Sequence, residues 1–281
     1  MSLDINADPI VWADYNVDVF NKGVLKSQVA PWPPELLMKR VSGVTAPLDF
    51  AKQGREIFLA LSRASPKPLS SYLSVLDFGV GSGRLARMFR GFKGKYTGVD
   101  VDHELVGWVG KALPWVTAVP SIARESIPAG KAAFDCVISI SVFTHMNEVD
   151  SEFYLKDLHR VTAPGAMLFL TTHGPRSLHR ALTEQRIFDM LCISEESIRD
   201  AKAKIDEGGF SFVIQNGHLT TEKYDYGMSF TSREYIDRVW SKYFRVIDVV
   251  ESAIYDFQDI VVLERLPTPS LIDRIKSFFG R

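Results

Sequence analysis

A regular alternation of short apolar strands and helical segments begins at Tyr72, and it restricts the fold of this chain more than any other feature. Strands are predicted at 74–78, 96–100, 134–141 and 166–172. Helical patterns lie between them at 84–92, 103–113 and 149–162, the last with Phe153, Leu155, Leu158 and Val161 facing inward. Strands joined through helices pair in parallel by right-handed crossovers, so the alternation predicts a doubly wound α/β sheet.

The segment after Gly174 lacks this alternation for about 55 residues, and a compact domain rarely contains so long a loop without structure of its own. Its predicted elements are a helix at 194–206 capped by Ser194, a strand at 210–214 and a turn at Asn216-Gly217. Thr231 and Glu234 form a capping box, which predicts a helix to Tyr243. Strands at 244–250 and 260–263 are close enough in sequence to form an antiparallel hairpin at the end of the sheet.

These patterns divide the chain into parts. Residues 1–70 are interrupted by prolines and are predicted to form an N-terminal helical cap, with one clear helix at 47–62. The main domain is predicted over 71–265, with a lid insertion at about 175–230, and an amphipathic tail over 266–281. The apolar face of this tail is expected to pack on the protein itself or on a second subunit in a homodimer, with peripheral membrane contact as the alternative.

Composition excludes several classes of protein. The chain has 281 residues, 46% of them hydrophobic and 24% charged, which is typical of one globular core. Lys and Arg total 33 and Asp and Glu total 34, so the net charge of −1 creates no field that would attract nucleic acid. The first residues form no signal peptide, no apolar run is long enough for a membrane span, and two cysteines are too few for a thiolate zinc site. We therefore expect a cytoplasmic protein without a metal site or an integral membrane segment.

The strongest chemical signal is the sequence DFGVGSG at 77–83, between an apolar strand and a helix. Glycines at alternate positions let the backbone turn sharply and approach a ligand closely. Asp100 ends the next strand, where a carboxylate can accept hydrogen bonds from both ribose hydroxyls, so the two features predict an adenosine-containing ligand. Arg84 directly follows Gly83, so the G-x-G-x-x-G spacing of dinucleotide enzymes is not met, and Asp77 favours a cationic ligand over a diphosphate.

These residues resemble the first motif, D/E-x-G-x-G-x-G, of the class I S-adenosylmethionine-dependent methyltransferase superfamily, and the likeness covers about residues 72–174 well. A closer resemblance is to a bacterial subfamily often encoded beside glycosyltransferases. It is carried by PEL at 34–36, RVSG at 40–43, ISVFTH at 140–145, TTHG at 171–174, and Tyr226-Gly227 with FTS at 230–232 and Tyr235. The resemblance implies a Rossmann-like, doubly wound, mostly parallel seven-stranded sheet with an antiparallel last strand, an N-terminal cap and a lid after the fifth strand.

The resemblance also implies S-adenosylmethionine as the cofactor and roles for particular residues. The glycines flank the methionine moiety, Asp100 holds the ribose, and Ser139 lies under the sulfonium. The cofactor-binding residues are expected to be Asp77, Gly79, Gly81, Gly83, Asp100, Val101, Ser121, Ile122 and Ser139. Val80 stands where the superfamily often has Cys or Ala, and the acid that often edges the adenine has no counterpart in Ser121-Ile122-Ala123-Arg124.

Two histidines are candidate catalytic bases, because both follow strands at the carboxyl edge of the sheet, where α/β folds place ligands. Methyl transfer mainly requires alignment of the acceptor, and a base that removes a hydroxyl proton would add about two to four orders of magnitude in rate. His145 is either this base or a capping or packed histidine, and His173 is either a second base or a residue that orients the lid.

The sequence leaves several functions open. The first is O-methylation of a saccharide or related polar small molecule, an acceptor class that follows only from the resemblance. The second is methylation of a natural-product phenol or amine with the same cofactor. A nicotinamide-dependent oxidoreductase and a non-catalytic binding module are the remaining alternatives. No nucleic acid partner is expected.

Overall fold

A seven-stranded sheet with the order β3-β2-β1-β4-β5-β9-β8 is the centre of the fold in a computed structural model that describes residues 3–21, 24–215 and 225–266. Its strands are β1 (Ser74–Phe78), β2 (Lys95–Asp100), β3 (Val116–Pro120), β4 (Phe134–Ser139), β5 (Thr162–Thr172), β8 (Arg245–Ile254) and β9 (Gln258–Glu264). β1 to β5 pair in parallel, and β9 runs antiparallel between β5 and β8. The predicted Rossmann-like sheet with an antiparallel last strand is therefore confirmed.

Helices cover both faces of this sheet because successive strand residues point to opposite sides. Val75 packs on one face with α3 (Pro47–Ala64) and α4 (His103–Ala112), and Leu76 packs on the other with α5 (Glu148–Val161). The buried side chains of α5 include Ser151, Tyr154, Leu155, Leu158 and Val161, which share one helical face. Phe153 lies off that face and is 37% exposed, so the prediction that it faces inward was wrong.

The segment after the glycine turn is not the helix that its pattern predicted. A short 3-10 helix, Ala86–Phe89, replaces it. Arg87 in this segment is buried, and its guanidinium donates to the Asn16 side chain and the Ala30 carbonyl in the N-terminal part of the chain. Gly91 lies so close to the Ala7 carbonyl that a Cβ would be 1.7 Å from its oxygen. Packing against the N-terminal segment thus overrides the local helical pattern.

The N-terminal part contributes α1 (Pro9–Asp18) and α2 (Glu35–Ser42) in addition to α3. Pro47 opens α3 at its first turn, where a missing amide hydrogen costs nothing. The helix runs two residues beyond its predicted end at Ser62. α1 packs on α3 and on the 3-10 helix at Ala86–Phe89.

The segment between β5 and β8 has its own small core. It comprises α6 (Pro175–Thr183), α7 (Gln185–Leu191), α8 (Glu195–Asp206), the antiparallel pair β6 (Phe210–Ile214) and β7 (Gly227–Thr231), and α9 (Arg233–Val239). Leu178, Ile198 and Phe230 are fully buried in this core. Ser194 accepts a hydrogen bond from the Ser197 amide, as its predicted cap role requires. The turn predicted at Asn216-Gly217 lies outside the described residues.

The predicted capping box at Thr231 was displaced by one residue. Thr231 remains paired in β7, and Ser232 is the residue whose hydroxyl accepts from the Tyr235 amide at 3.0 Å to start α9. The helix ends at Val239 and a 3-10 helix, Trp240–Lys242, continues it. The predicted C-terminal tail falls almost wholly beyond Leu266, the last described residue. Within the described ranges, no helix has the length and apolar character that crossing a membrane requires.

Candidate cofactor and acceptor site

The glycine turn follows β1 at the carboxyl edge of the sheet. Gly79, Gly81 and Gly83 have φ angles of 90°, 54° and 81°, a left-handed conformation that residues with a Cβ rarely adopt. The amides of Gly79 and Val80 donate to the Val99 carbonyl at 2.8 and 3.1 Å. The turn is therefore as sharp as the sequence predicted, and it is tied to the end of β2.

Protein side chains fill the space that these glycines leave, including Leu113 beside Gly83. A Cβ on Gly79 would lie 2.2 Å from Cγ2 of Val142, in the loop after β4, and a Cβ on Gly81 would lie 2.9 Å from Cγ1 of Val41 in α2. The sequence reasoning attributed the glycines to close approach of a ligand. In the structure they also admit two valines, which bring α2 and the loop after β4 against the turn and form walls of the site.

Asp100 lies at the end of β2, beside the turn. One carboxylate oxygen accepts from the Gly81 amide at 2.8 Å and the other from the Asp102 amide at 2.9 Å. Burial raises the pKa of Asp100, and these amides act in the opposite direction. Val101, the next residue, is 40% exposed. The carboxylate is thus oriented by backbone donors at the edge where a ribose would be held.

Asp77 is a buried carboxylate at the base of the turn. The Tyr96 hydroxyl donates to its Oδ2 at 2.7 Å. Burial raises the pKa of Asp77 to about 7, while the Tyr96 bond and the positive charge of Arg84 lower it. A buried carboxylate with one neutral donor is poorly compensated, so a cationic ligand would favour its ionised form.

The other predicted cofactor residues have distinct positions. Ser121 is buried directly after β3, and its amide donates to the Asp100 carbonyl at 2.9 Å, while Ile122 is 46% exposed. Ser139 ends β4 and is fully buried, with its hydroxyl donating to the Phe78 carbonyl at 2.9 Å. The Ser139 side chain therefore joins β1 to β4 at the edge of the sheet.

The two candidate bases lie side by side against β7. The ring centroids of His145 and His173 are 6.4 Å apart. The Nδ1 of His145 lies 2.8 Å from the Gly227 carbonyl, and the Nδ1 of His173 lies 3.1 Å from the Ser229 carbonyl. The fold thus brings together two histidines that are 28 positions apart in sequence, and alternate carbonyls of a single strand hold them.

These contacts determine which ring nitrogen of each histidine carries the proton. A backbone carbonyl can only accept a hydrogen bond, so each Nδ1 is the donor. In the neutral ring the lone pair then lies on Nε2. Burial, together with the positive charge of a protonated His145, lowers the pKa of His173 to about 3, so this ring stays neutral near pH 7. His145 is less buried, and Tyr226 stacks on it with ring centroids 4.5 Å apart.

Sequence reasoning missed several residues of this site. The Gly227 and Ser229 carbonyls could not be recognised, because a backbone acceptor leaves no mark in the sequence. Ser141, two residues after β4, has a left-handed φ of 58°, and its hydroxyl lies 3.0 Å from Nε2 of Gln258 at the start of β9. Gln258 gave no local signal, since its place beside Ser141 depends on the pairing of β9 with β5.

Arg40, in α2, is held against the start of α4 by two ion pairs. Its guanidinium makes ion pairs with Asp102 at 2.7 Å and Glu104 at 2.9 Å, at the start of α4. Asp102 caps α4 by accepting from the Glu104 and Leu105 amides. In the part of the chain that the structure describes, no cluster of three or more His, Cys, Asp or Glu side chains could hold a metal ion.

Solved structures of similar fold come from several organisms. A protein of Pyrococcus horikoshii is 14% identical, with a TM-score of 0.54 over 75% of this chain and 90% of that one. The 1,6-didemethyltoxoflavin N1-methyltransferase of Burkholderia thailandensis, solved with 1,6-didemethyltoxoflavin and S-adenosylhomocysteine bound, is 14% identical, with a TM-score of 0.52 over 95% of this chain and 93% of that one. An S-adenosylmethionine-dependent methyltransferase of Mesorhizobium loti is 13% identical, with a TM-score of 0.51 over 75% and 98%.

The family of the chain follows from its sequence as well as from its fold. The sequence profile of a methyltransferase domain matches residues 50–240, which is more than half of the chain. The matched stretch contains the glycine turn, Asp100 and both histidines. It decides against the nicotinamide-dependent oxidoreductase that the sequence left open. The chain belongs to the methyltransferase domain family.

Proposed function

We propose that this chain transfers a methyl group from S-adenosylmethionine to a hydroxyl group of a saccharide or a related polar small molecule. The observation that carries the proposal is the pair of neighbouring histidines after β4 and β5, each with its Nδ1 proton donated to a carbonyl of β7. This arrangement leaves the Nε2 atoms as the proton acceptors of the neutral rings. The saccharide class of the acceptor rests on the resemblance of the sequence motifs alone.

The residues at the turn fit S-adenosylmethionine. Asp100, oriented by the Gly81 and Asp102 amides, would accept from the ribose hydroxyls, and the buried Asp77 would face the cationic amino-acid end. Val101, Ser121 and Ile122 would border the adenosine, and Ser139 would lie beneath the sulfonium. When bound, the cofactor supplies an electrophilic methyl group.

His145 is the base in this proposal, and His173 is a neutral neighbour. Val142, which packs on Gly79, is only three positions before His145, so the histidine lies close to the turn. His145 accepts the hydroxyl proton at Nε2 while the acceptor oxygen forms its bond to the methyl carbon and the methyl–sulfur bond breaks, so that sulfur keeps the electron pair and S-adenosylhomocysteine leaves as a neutral thioether. His145 then releases the proton to water. His173 is 2% exposed with a pKa of about 3, so it is a poor acceptor of protons at neutral pH.

A heteroaromatic or phenolic acceptor is the second candidate. The Burkholderia thailandensis protein, which covers most of this chain in fold, methylates a ring nitrogen of such a molecule according to its name. Tyr226 and His145 are stacked with an interplanar angle of 15°, and flat rings of this kind are suited to binding another flat ring. The division into cap, lid and tail, the homodimer and the cytoplasmic location stay proposals as well.

The test is a methyl-transfer assay with a panel of acceptors. Purified protein, S-adenosylmethionine labelled in the methyl group, and matched sets of saccharides, phenols and heteroaromatic amines are incubated, and the labelled product is located by NMR. We expect label on a saccharide oxygen. Label on a ring nitrogen or a phenol oxygen would favour the second candidate, and no heat of binding with S-adenosylhomocysteine would contradict both.

The role of His145 is tested in the same assay. His145→Ala should lower kcat by about 100- to 10,000-fold and leave the Kd for S-adenosylhomocysteine within about threefold of the wild-type value. His179→Ala is the matched control, because His179 lies exposed on α6 and should be dispensable. Full activity of the His145 variant would eliminate it as the base.

A further inference from the structure

Arg84 is a basic residue directly after the glycine turn, and it has no role in the proposed methyl transfer. It directly follows Gly83, and its NH1 donates to Oε1 of Gln53 in α3 at 2.9 Å. Protein surrounds the side chain closely, yet part of it stays accessible. Burial lowers the pKa of Arg84, and the nearby Tyr255 and Asp77 act against this effect.

The charge of Arg84 has no matching anion in contact. Its one hydrogen-bond partner in the described ranges is the neutral amide of Gln53, and no described carboxylate forms an ion pair with it. Burial keeps Tyr255 a neutral phenol by raising its pKa to about 12. A buried guanidinium without an anion is costly, because the loss of its hydration is not compensated. An anionic group of a ligand would remove this cost.

Asp77 provides an opposite charge near Arg84. Arg84 and Asp77 influence each other electrostatically, but they are too far apart for an ion pair. A separated cation and carboxylate, each buried and each lacking a charged partner in contact, are complementary to the carboxylate and ammonium groups of an α-amino acid. Neither residue alone would distinguish such a zwitterion from a simple ion.

The turn between β8 and β9 offers an independent observation. Tyr255 and Asp256 have left-handed φ angles of 58° and 52°, and the Phe257 amide donates to the Ile254 carbonyl at 3.0 Å, which defines a two-residue type I′ turn. Such turns favour Asn-Gly, so a Tyr-Asp pair is strained. The strained turn places the Tyr255 hydroxyl 3.1 Å from the Gln53 carbonyl, against the residue that holds Arg84.

We infer that Arg84, positioned by Gln53 and Tyr255, binds the α-carboxylate of the amino-acid end of the cofactor, while Asp77 faces its ammonium group. This inference rests on the proposed function, since it specifies how the cofactor is held. Arg40 forms ion pairs with Asp102 and Glu104. The inference therefore gives the contact with the cofactor carboxylate to Arg84. Through this contact, Arg84 makes the protein bind the whole cofactor more tightly than a nucleoside that lacks the amino-acid group.

The experiment compares two probes by calorimetry on the full chain. S-adenosylhomocysteine carries the amino-acid group, and 5′-methylthioadenosine lacks it. Arg84→Met should raise the Kd for S-adenosylhomocysteine by about 10- to 100-fold and change the Kd for 5′-methylthioadenosine by less than about threefold. Arg84→Lys, which keeps the charge, should recover part of the loss. Tyr255→Phe should weaken only the first probe, and by a smaller factor.

Asp100→Ala is the matched control, because a ribose contact is common to both probes and its loss should weaken both alike. Unchanged affinity of Arg84→Met for S-adenosylhomocysteine would overturn the inference. So would an equal loss for both probes, which would indicate general damage to the site. Wild-type protein that binds neither probe would overturn the proposed function together with the inference, and that result is distinct from the other two.

Discussion

Replacing Asp77 with asparagine should make the protein more stable at neutral and alkaline pH, although it removes a residue of the proposed cofactor site. The wild-type carboxylate is 3% exposed and accepts one hydrogen bond, from the neutral hydroxyl of Tyr96. An asparagine oxygen can accept the same bond, so Asp77→Asn preserves the shape and the main contact of the residue. What it removes is the cost of a buried negative charge.

The magnitude follows from the two pKa values of this carboxyl group. Its pKa rises from 3.8, the value expected in the unfolded chain, to about 7 in the folded protein. Between these values the folded state binds a proton that the unfolded state has lost, so the free energy of unfolding falls as pH rises. The difference corresponds to about 4 kcal/mol between pH 4 and pH 8.

The assay is urea denaturation of wild type and Asp77→Asn at a series of pH values. The difference in free energy of unfolding between the two proteins should grow in favour of the variant as pH rises from 4 to 8. Asp200→Asn, at an exposed position of α8, should show no such trend. S-adenosylhomocysteine should stabilise the wild type more than Asp77→Asn. Parallel stability curves across this range would refute the reasoning that burial disfavours the charged carboxylate.

Three further outcomes are expected. Gly79→Ala should destabilise the protein by about 2–5 kcal/mol in thermal unfolding, because the φ of Gly79 is left-handed and the new Cβ would meet Val142. Gly107→Ala, in α4 with open space around it, should stabilise the protein by about 1 kcal/mol in the same measurement. The folded pKa of His173, about 3, lies below its unfolded value, so the free energy of unfolding of the wild type should fall by about 1.4 kcal/mol per pH unit below pH 6.5. His173→Asn should lessen this slope in denaturation curves, and an unchanged slope would contradict the assignment. Asp100→Ala should make the free energy of S-adenosylhomocysteine binding, measured by calorimetry, less favourable by about 1–3 kcal/mol. Unchanged affinity would refute the ribose contact.

Much of the fold could be predicted from local patterns. The strands β1, β2, β4 and β5 were located by their apolar runs. The glycine turn and Asp100 were recognised because the conformational freedom of glycine and the hydrogen-bonding capacity of a carboxylate are properties of the residue type. The helix predicted after the turn failed because its conformation depends on packing against the N-terminal segment. The prediction that Phe153 faces inward failed because it was based on the apolar side chain alone and ignored the position of Phe153 around the helix axis.

The candidate site was predictable only in part. Asp77 was found from its place before the glycines, and both histidines from their places after strands. Arg84 was seen in the sequence only as a departure from a dinucleotide motif, since its environment comes from α3 and from the turn between β8 and β9, far away in the chain. The tautomers of the histidines depend on carbonyls of β7, which carry no signature of residue type.

The sequence by itself determined the class of the fold, the sharp turn and the carboxylate beside it, because strand and helix periods, glycine conformation and side-chain charge are properties of short stretches. The tertiary structure decided which side chains fill the space left by the glycines, where Arg84 finds its partners, and how the pKa values of Asp77 and His173 differ from their ordinary ones. Those properties depend on desolvation and on contacts between residues far apart in sequence, and a packed three-dimensional environment is needed to create them.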